Sequence, residues 1–303
     1  MNREYSFKSA DRSMVRGWFY AVGVVLFFSS FTLASRAGLS SAVGIADLMA
    51  LRFGISGILL LPVILMSGLS GLSLAQGAVL ALMGGLGFAL CAYGGFAAAP
   101  SAHAAVLLHG SLPLTTALIV GVTGTSSISR AQYLGLALIV IGVLAILSDT
   151  VFDSHSSSQL VGDALLLLAS FLWSGYGVLA RRYRIPALRS AAIVAVFSMT
   201  AYLPVYLVTS ATSLLSIDGK VLIAQGVFQG VAIGVLSLLL YTRTVAILGP
   251  ARTALATAAV PGTTLVGGIF FLAEMPALTV IGGITLVTMG MLVALSSRKE
   301  TLR

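Results

Sequence analysis

At 303 residues the chain is 58% hydrophobic and only 9% charged, with a mean hydropathy of +1.05. That is more apolar surface than a water-soluble domain of this length hides, so lipid is its solvent. The net charge of +8 does not arise from basic runs interleaved with aromatic residues, which sets nucleic-acid binding aside. The one cysteine, Cys91, sits in an apolar run, so neither a disulfide framework nor a thiolate metal site is expected, and no cofactor is implied.

A bilayer core takes about 20 residues of helix. On that ruler the chain carries ten spans, at about 17–37, 43–67, 74–97, 101–123, 128–148, 160–182, 188–209, 220–245, 250–272 and 276–296. The basic start, Arg3 to Arg16, leads into the first span with no small-residue cleavage site, so no removable signal peptide is expected. Short breaks carry turn chemistry, as at Ser67-Gly68-Leu69-Ser70-Gly71. The longest polar break, Asp149 to Gln159, separates two halves.

The fold class is therefore an all-α integral membrane protein of ten transmembrane helices. If the chain starts in the cytoplasm, fourteen of the seventeen Lys and Arg lie on that side. Arg36 and Lys220 lie on the other, and Arg52 lies within a span. Positive charge stays inside, so both termini are expected in the cytoplasm of a bacterial inner membrane.

A shift of 148 residues lays the second half on the first without a gap. Tyr93 meets Tyr241, His109 meets Thr257, Pro113 meets Pro261, Thr115 and Thr116 meet Thr263 and Thr264, and Gly135 and Gly142 meet Gly283 and Gly290. The chain thus reads as two five-helix repeats, 1–149 and 150–303. Five is odd, so the second repeat enters the membrane inverted, an arrangement used for alternating access around a midplane site.

Polar side chains inside spans are costly and tend to face a cavity or the bundle interior. In the ninth span Thr253, Thr257, Pro261 and Thr264 fall at i, i+4, i+8 and i+11, one helical stripe. The fourth span repeats it with Ala105, His109, Pro113 and Thr116. A mid-span proline removes a backbone hydrogen bond, which marks Pro113 and Pro261 as hinges and the stripes as substrate-facing; helix packing is the rival reading.

The third span adds Tyr93, the sixth Trp173 and Tyr176, and the eighth Gln229, Ser237 and Tyr241. These aromatic and polar groups flank a ligand or pack the core. His109 is the proton-relay candidate, although a neutral histidine bonded to a neighbour explains it as well. Arg52 needs a partner or water, and Asp47, five residues earlier, has the wrong spacing to supply one. A structural or gating contact to another helix is expected of Arg52. Glu274, before Pro276, is placed to cap the tenth helix, with Ser126 in the matching place before the fifth.

The stretch Leu248-Gly249-Pro250 through Pro261 to Ala273-Glu274, followed by Gly282-Gly283 and Gly290, resembles the EamA-type branch of the drug/metabolite transporter superfamily, over nearly the whole chain. Ser126 stands where that family often has a glutamate. Among bacterial members the chain looks closest to ten-helix amino-acid exporters of the YddG type. The resemblance implies a central cavity lined by helices 1, 3, 4, 6, 8 and 9.

The resulting expectation is an inner-membrane exporter of small metabolites, amino acids first, working by alternating access. Nucleobases, nucleosides or sugar-phosphate-like metabolites are the alternative cargo. A non-transporting membrane scaffold or lipid-handling protein is the alternative class. No His-Glu-x-x-His and no carboxylate cluster supports an enzyme. No carboxylate lies near the predicted middle of a span, so transport is expected to be facilitative or weakly proton-linked. The partners are a small-molecule substrate and the bilayer, with a monomer or weak dimer as the assembly.

Overall fold

The structure, a computed structural model, describes residues 2–41, 43–122, 129–152, 157–210 and 213–296. Among them ten helices are long and apolar enough to cross a bilayer. They are α1 (Met14–Ser40), α2 (Ile45–Ser67), α3 (Leu74–Ala98), α4 (Ser101–Val122), α5 (Arg130–Ser148), α6 (Ser157–Arg182), α7 (Ala187–Thr209), α8 (Gly219–Leu248), α9 (Arg252–Leu272) and α10 (Leu278–Leu295). They match the ten predicted spans within a few residues, because each is an apolar run about as long as the hydrocarbon core is thick. Odd-numbered helices run from the face where α1 begins, here the proximal face, to the opposite, distal face; even-numbered helices return.

Local chemistry sets the helix starts. Ser73 and Gln76 form a reciprocal capping box at α3, with Gln76 N–H donating to Ser73 Oγ at 3.2 Å and Ser73 N–H to Gln76 Oε1 at 2.9 Å. Ser129 and Gln132 repeat it at α5 with the same distances. The cap expected of Ser126 lies outside the described residues. Asp218 caps α8 by accepting from the Lys220 and Val221 N–H groups.

The packing pairs helices across the two halves. α1 lies against α8 and α3 against α6; α2 lies against α7, and α5 against α10. Under the 148-residue shift the first two pairs exchange with each other and the last two map onto themselves, the pattern a two-fold axis generates. The α5–α10 contact has the same reciprocity. Gly135 lies against the Gly290 carbonyl, where an added Cβ would come within 2.6 Å. Gly142 lies against the Gly283 carbonyl, at 2.7 Å. Only glycine lets two membrane helices approach so closely, and the contact is van der Waals in origin.

One element departs from its sequence reading. The helical backbone that starts at Ser237 runs on to Thr257, turns at Ala258–Ala259, and restarts at Val260. Pro261 is thus not a kink within a continuous helix. It stands in the first turn of a new segment, where its missing N–H has no partner to lose. The segment Val260–Leu272 packs on α1, with Thr263 Oγ1 and Ser29 Oγ 2.5 Å apart.

Candidate functional site

A cavity of about 70 Å³ lies among seven helices, α1, α2, α3, α4, α6, α7 and α8. Its walls are aromatic: Phe28 and Phe31 from α1, Phe53 from α2, Phe88 from α3, and Trp173 and Tyr176 from α6. The rings support one another. Trp173 lies 4.9 Å from Phe88 and 5.3 Å from Tyr176, centroid to centroid, and the face of Tyr176 packs on Gly84. Aromatic pairs at such spacings add about 0.5–1.5 kcal/mol each beyond their burial.

Arg52 is the charged residue of this wall. It sits seven residues into α2, ~10 Å from the helix start. It is 8% exposed. Its guanidinium carbon lies 5.1 Å from the Phe31 ring centre, 5.7 Å from Phe88 and 5.9 Å from Phe53. It also interacts with the Tyr93 hydroxyl. Among the described residues it has no ion pair, and its Nη1 has no hydrogen-bond partner. A cation deep in a span costs about 2.5–3.5 kcal/mol on insertion scales. A cation–π contact returns about 0.5–2 kcal/mol but leaves the charge itself uncompensated.

His109 is the second group without a partner. Its ring stacks on Phe28 at 5.6 Å and 16°, it is 8% exposed, and its Nε2 is unbonded among the described residues. The hydroxyls nearby are already engaged. Ser56 donates to the Arg52 carbonyl at 2.6 Å and Ser237 to the Ile233 carbonyl at 2.7 Å; Tyr176 and Ser190 share a 2.9 Å bond.

Three π-helical stretches adjoin this cavity: Leu82–Leu86 in α3, Ala105–Gly110 in α4 and Gly226–Leu236 in α8. Each contributes lining residues, namely Gly84, then Leu108 and His109, then Ile233 and Gly234. A π turn adds a residue per hydrogen-bonded ring and rotates the helix beyond it, and such turns gather at functional sites. In α4 this rotation breaks the expected stripe. His109 faces the cavity, whereas Thr116 turns to α6 and donates to Ser174 Oγ at 3.0 Å. Pro113 comes after the π stretch and lacks the N–H that would close on the His109 carbonyl.

Of the substrate-facing residues expected from sequence, His109, Trp173, Tyr176 and Ser237 line the cavity together. The others do not. Tyr93 is fully buried and donates to Gln229 Oε1 at 2.9 Å, while Gln229 donates to Ser35 Oγ at 3.1 Å. Tyr241 is 38% exposed and stacks on Phe28 at 6.1 Å. Thr257 donates to the Ala254 carbonyl at 2.9 Å. Thr264 is buried in the restarted segment of α9. No described residue of α9 lines this wall, whereas residues of α2 and α7 do. This corrects the helix set that the family resemblance implies.

The expected contact of Arg52 to other helices is present, to the rings of Phe31 on α1 and Phe88 on α3; no carboxylate pairs with it among the described residues, and it lines the cavity. Glu274 also has another task. It accepts from Ser101 N–H at 2.8 Å and Ser101 Oγ at 2.5 Å, so it caps α4 rather than α10. Arg36 Nε pairs with it at 2.7 Å. Arg36 donates in addition to the Phe96 and Ala99 carbonyls.

That bridge belongs to a distal layer of paired polar groups which sequence reading missed. His103 Nδ1 and Asp163 Oδ1 lie 3.0 Å apart, both buried; Thr150 donates to Asp163 at 2.6 Å, and Gln159 to Thr150 at 3.1 Å. Asp47 accepts from Tyr206 at 2.6 Å, from Gly44 N–H at 3.0 Å and from Ser213. His103 and Asp163, Asp47 and Tyr206, and Arg36 and Glu274 lie far apart in the chain, and no local spacing announces those pairs.

Comparison with known proteins agrees with this fold. The model of the EamA-like transporter family matches residues 160–296. The Bacillus subtilis (strain 168) protein named uncharacterized transporter YyaM is 25% identical over 176 residues, 56% of this chain and 55% of that protein. The chain thus spans about half the length of that curated relative. A crystal structure of a protein is alike over 92% of this chain and 97% of that one, with a TM-score of 0.61 and 18% identity. At that identity the likeness is one of fold alone.

Proposed function

We propose, from the premise that the chain carries an EamA-like transporter family domain, that it is a membrane transporter moving small carboxylate-bearing metabolites through the cavity beside Arg52. The observation that carries this reading is a buried cation without a carboxylate partner in an aromatic-walled cavity. Transporters hold their substrates in such interior sites, and intramembrane ionisable groups mark them. The expected amino-acid cargo fits at its carboxylate and at an apolar side chain.

The mechanism we infer is alternating access between two inverted repeats, 1–149 and 150–303, supported by the exchange of helix pairs under the 148-residue shift. The distal layer is the closed gate, since Glu274 ties α1, α4 and the α9–α10 turn together. Export is the inferred direction, from a cytoplasm that holds both termini. Transport is facilitative or weakly proton-linked, because no carboxylate is among the residues lining the cavity. A flux screen in liposomes against simple carboxylates, amino acids, nucleobases and sugar phosphates tests the reading; absence of flux for both the simple carboxylates and the amino acids contradicts it. In intact cells, an impermeant thiol reagent is expected to label Ser216→Cys and to miss Arg182→Cys.

A further inference from the structure

The charge on the cavity wall selects among carboxylates. Arg52 is the formal charge among the lining residues, and the described acidic side chains of the spans and their ends are engaged elsewhere. Asp47 is held by Tyr206, Ser213 and the start of α2; Asp163 by His103 and Thr150; Asp218 by the start of α8; Glu274 by Arg36 and Ser101. The two side-chain atoms without a partner at the cavity, Arg52 Nη1 and His109 Nε2, both belong to residues more than nine-tenths buried. Phe28 and Phe31, nearly one turn apart on α1, back the two groups.

We propose that this site binds monoanionic carboxylates with a flat apolar or aromatic body, in preference to the zwitterion or the cation of the same body. A carboxylate meets the guanidinium fork in two parallel, charge-assisted bonds, and the pair becomes neutral. The body then lies among Phe88, Trp173 and Tyr176, which offer apolar faces. A zwitterion places its ammonium in the same apolar enclosure with no carboxylate to receive it, and the loaded site keeps a net positive charge. In a low dielectric an unpaired charge is heavily penalised. A cation adds like charge to Arg52 and is excluded.

This inference rests on the transport reading for its cargo role but not for its binding, so binding and flux are measured separately. The probes are four ligands that share one ring and differ in charge: 3-phenylpropionate, phenylalanine, 2-phenylethylamine and the uncharged 3-phenylpropanol. Binding to the purified full chain is followed by tryptophan fluorescence in a Trp18→Phe background, which leaves Trp173 as reporter. The expected order is 3-phenylpropionate first, phenylalanine at least about tenfold weaker, and no saturable binding of the amine. Arg52→Gln is expected to lose at least about tenfold for 3-phenylpropionate while leaving 3-phenylpropanol unchanged; Arg52→Lys keeps the order at reduced affinity. Phenylalanine binding as tightly as 3-phenylpropionate overturns the proposal, as does an anion preference that survives Arg52→Gln or the absence of saturable binding by all four. In liposomes, 3-phenylpropionate that binds without crossing leaves this proposal standing and removes the transport reading. Flux of phenylalanine with no preference for the anion does the reverse.

Discussion

The distal layer and the cavity hold charged groups at similar burial and treat them in opposite ways. In the distal layer Asp163, fully buried, meets His103 and Thr150, and Asp47 meets a tyrosine, a serine and a backbone N–H. In the cavity Arg52, also buried, meets three aromatic faces and a neutral hydroxyl. Paired polar groups specify one packing and rigidify it. An unpaired one costs stability that a bound partner restores, which is how a binding site differs from a structural contact.

Mutations separate the two regions. The largest loss is expected for Asp163→Ala, which leaves His103 and the Thr150 hydroxyl without their acceptor; removing one member of a buried pair costs about 3–5 kcal/mol. Denaturant titration in micelles reads it, and a wild-type midpoint would show that the pair contributes nothing. Tyr93→Phe strips Gln229 Oε1 of its donor and is expected to cost about 1–3 kcal/mol of stability by the same titration. His109→Ala is expected to move least: counterflow in liposomes without a pH gradient keeps a substantial rate. Flux that disappears when a protonophore collapses the gradient, with substrate still concentrated on one side, would instead make a proton obligatory.

The ten helices were legible because apolar length alone reports a membrane span, and the glycines at 135, 142, 283 and 290 because a gapless shift exposes them. The site was half legible. His109, Trp173, Tyr176 and Ser237 stand out as polar or amphipathic groups in apolar runs. Phe28, Phe31, Phe53 and Phe88 do not, since a phenylalanine has no contrast there. The π stretches of α4 and α8 carry no mark beyond scattered glycines, yet the one in α4 rotates His109 away from Thr116. Arg52 was visible as a charge in a span; that aromatic rings and no described carboxylate meet it is a fact of three dimensions.

The unpaired cation at the centre of this comparison is most directly tested by the melting midpoint of ligand-free Arg52→Gln beside wild type. Neutralising a residue that stabilises the fold by pairing lowers the midpoint. Neutralising one that waits for a ligand leaves it unchanged or raises it. The expected result is a midpoint at or above wild type, with the stabilisation by 3-phenylpropionate abolished; a clear drop in the ligand-free midpoint would contradict it and return Arg52 to a structural role.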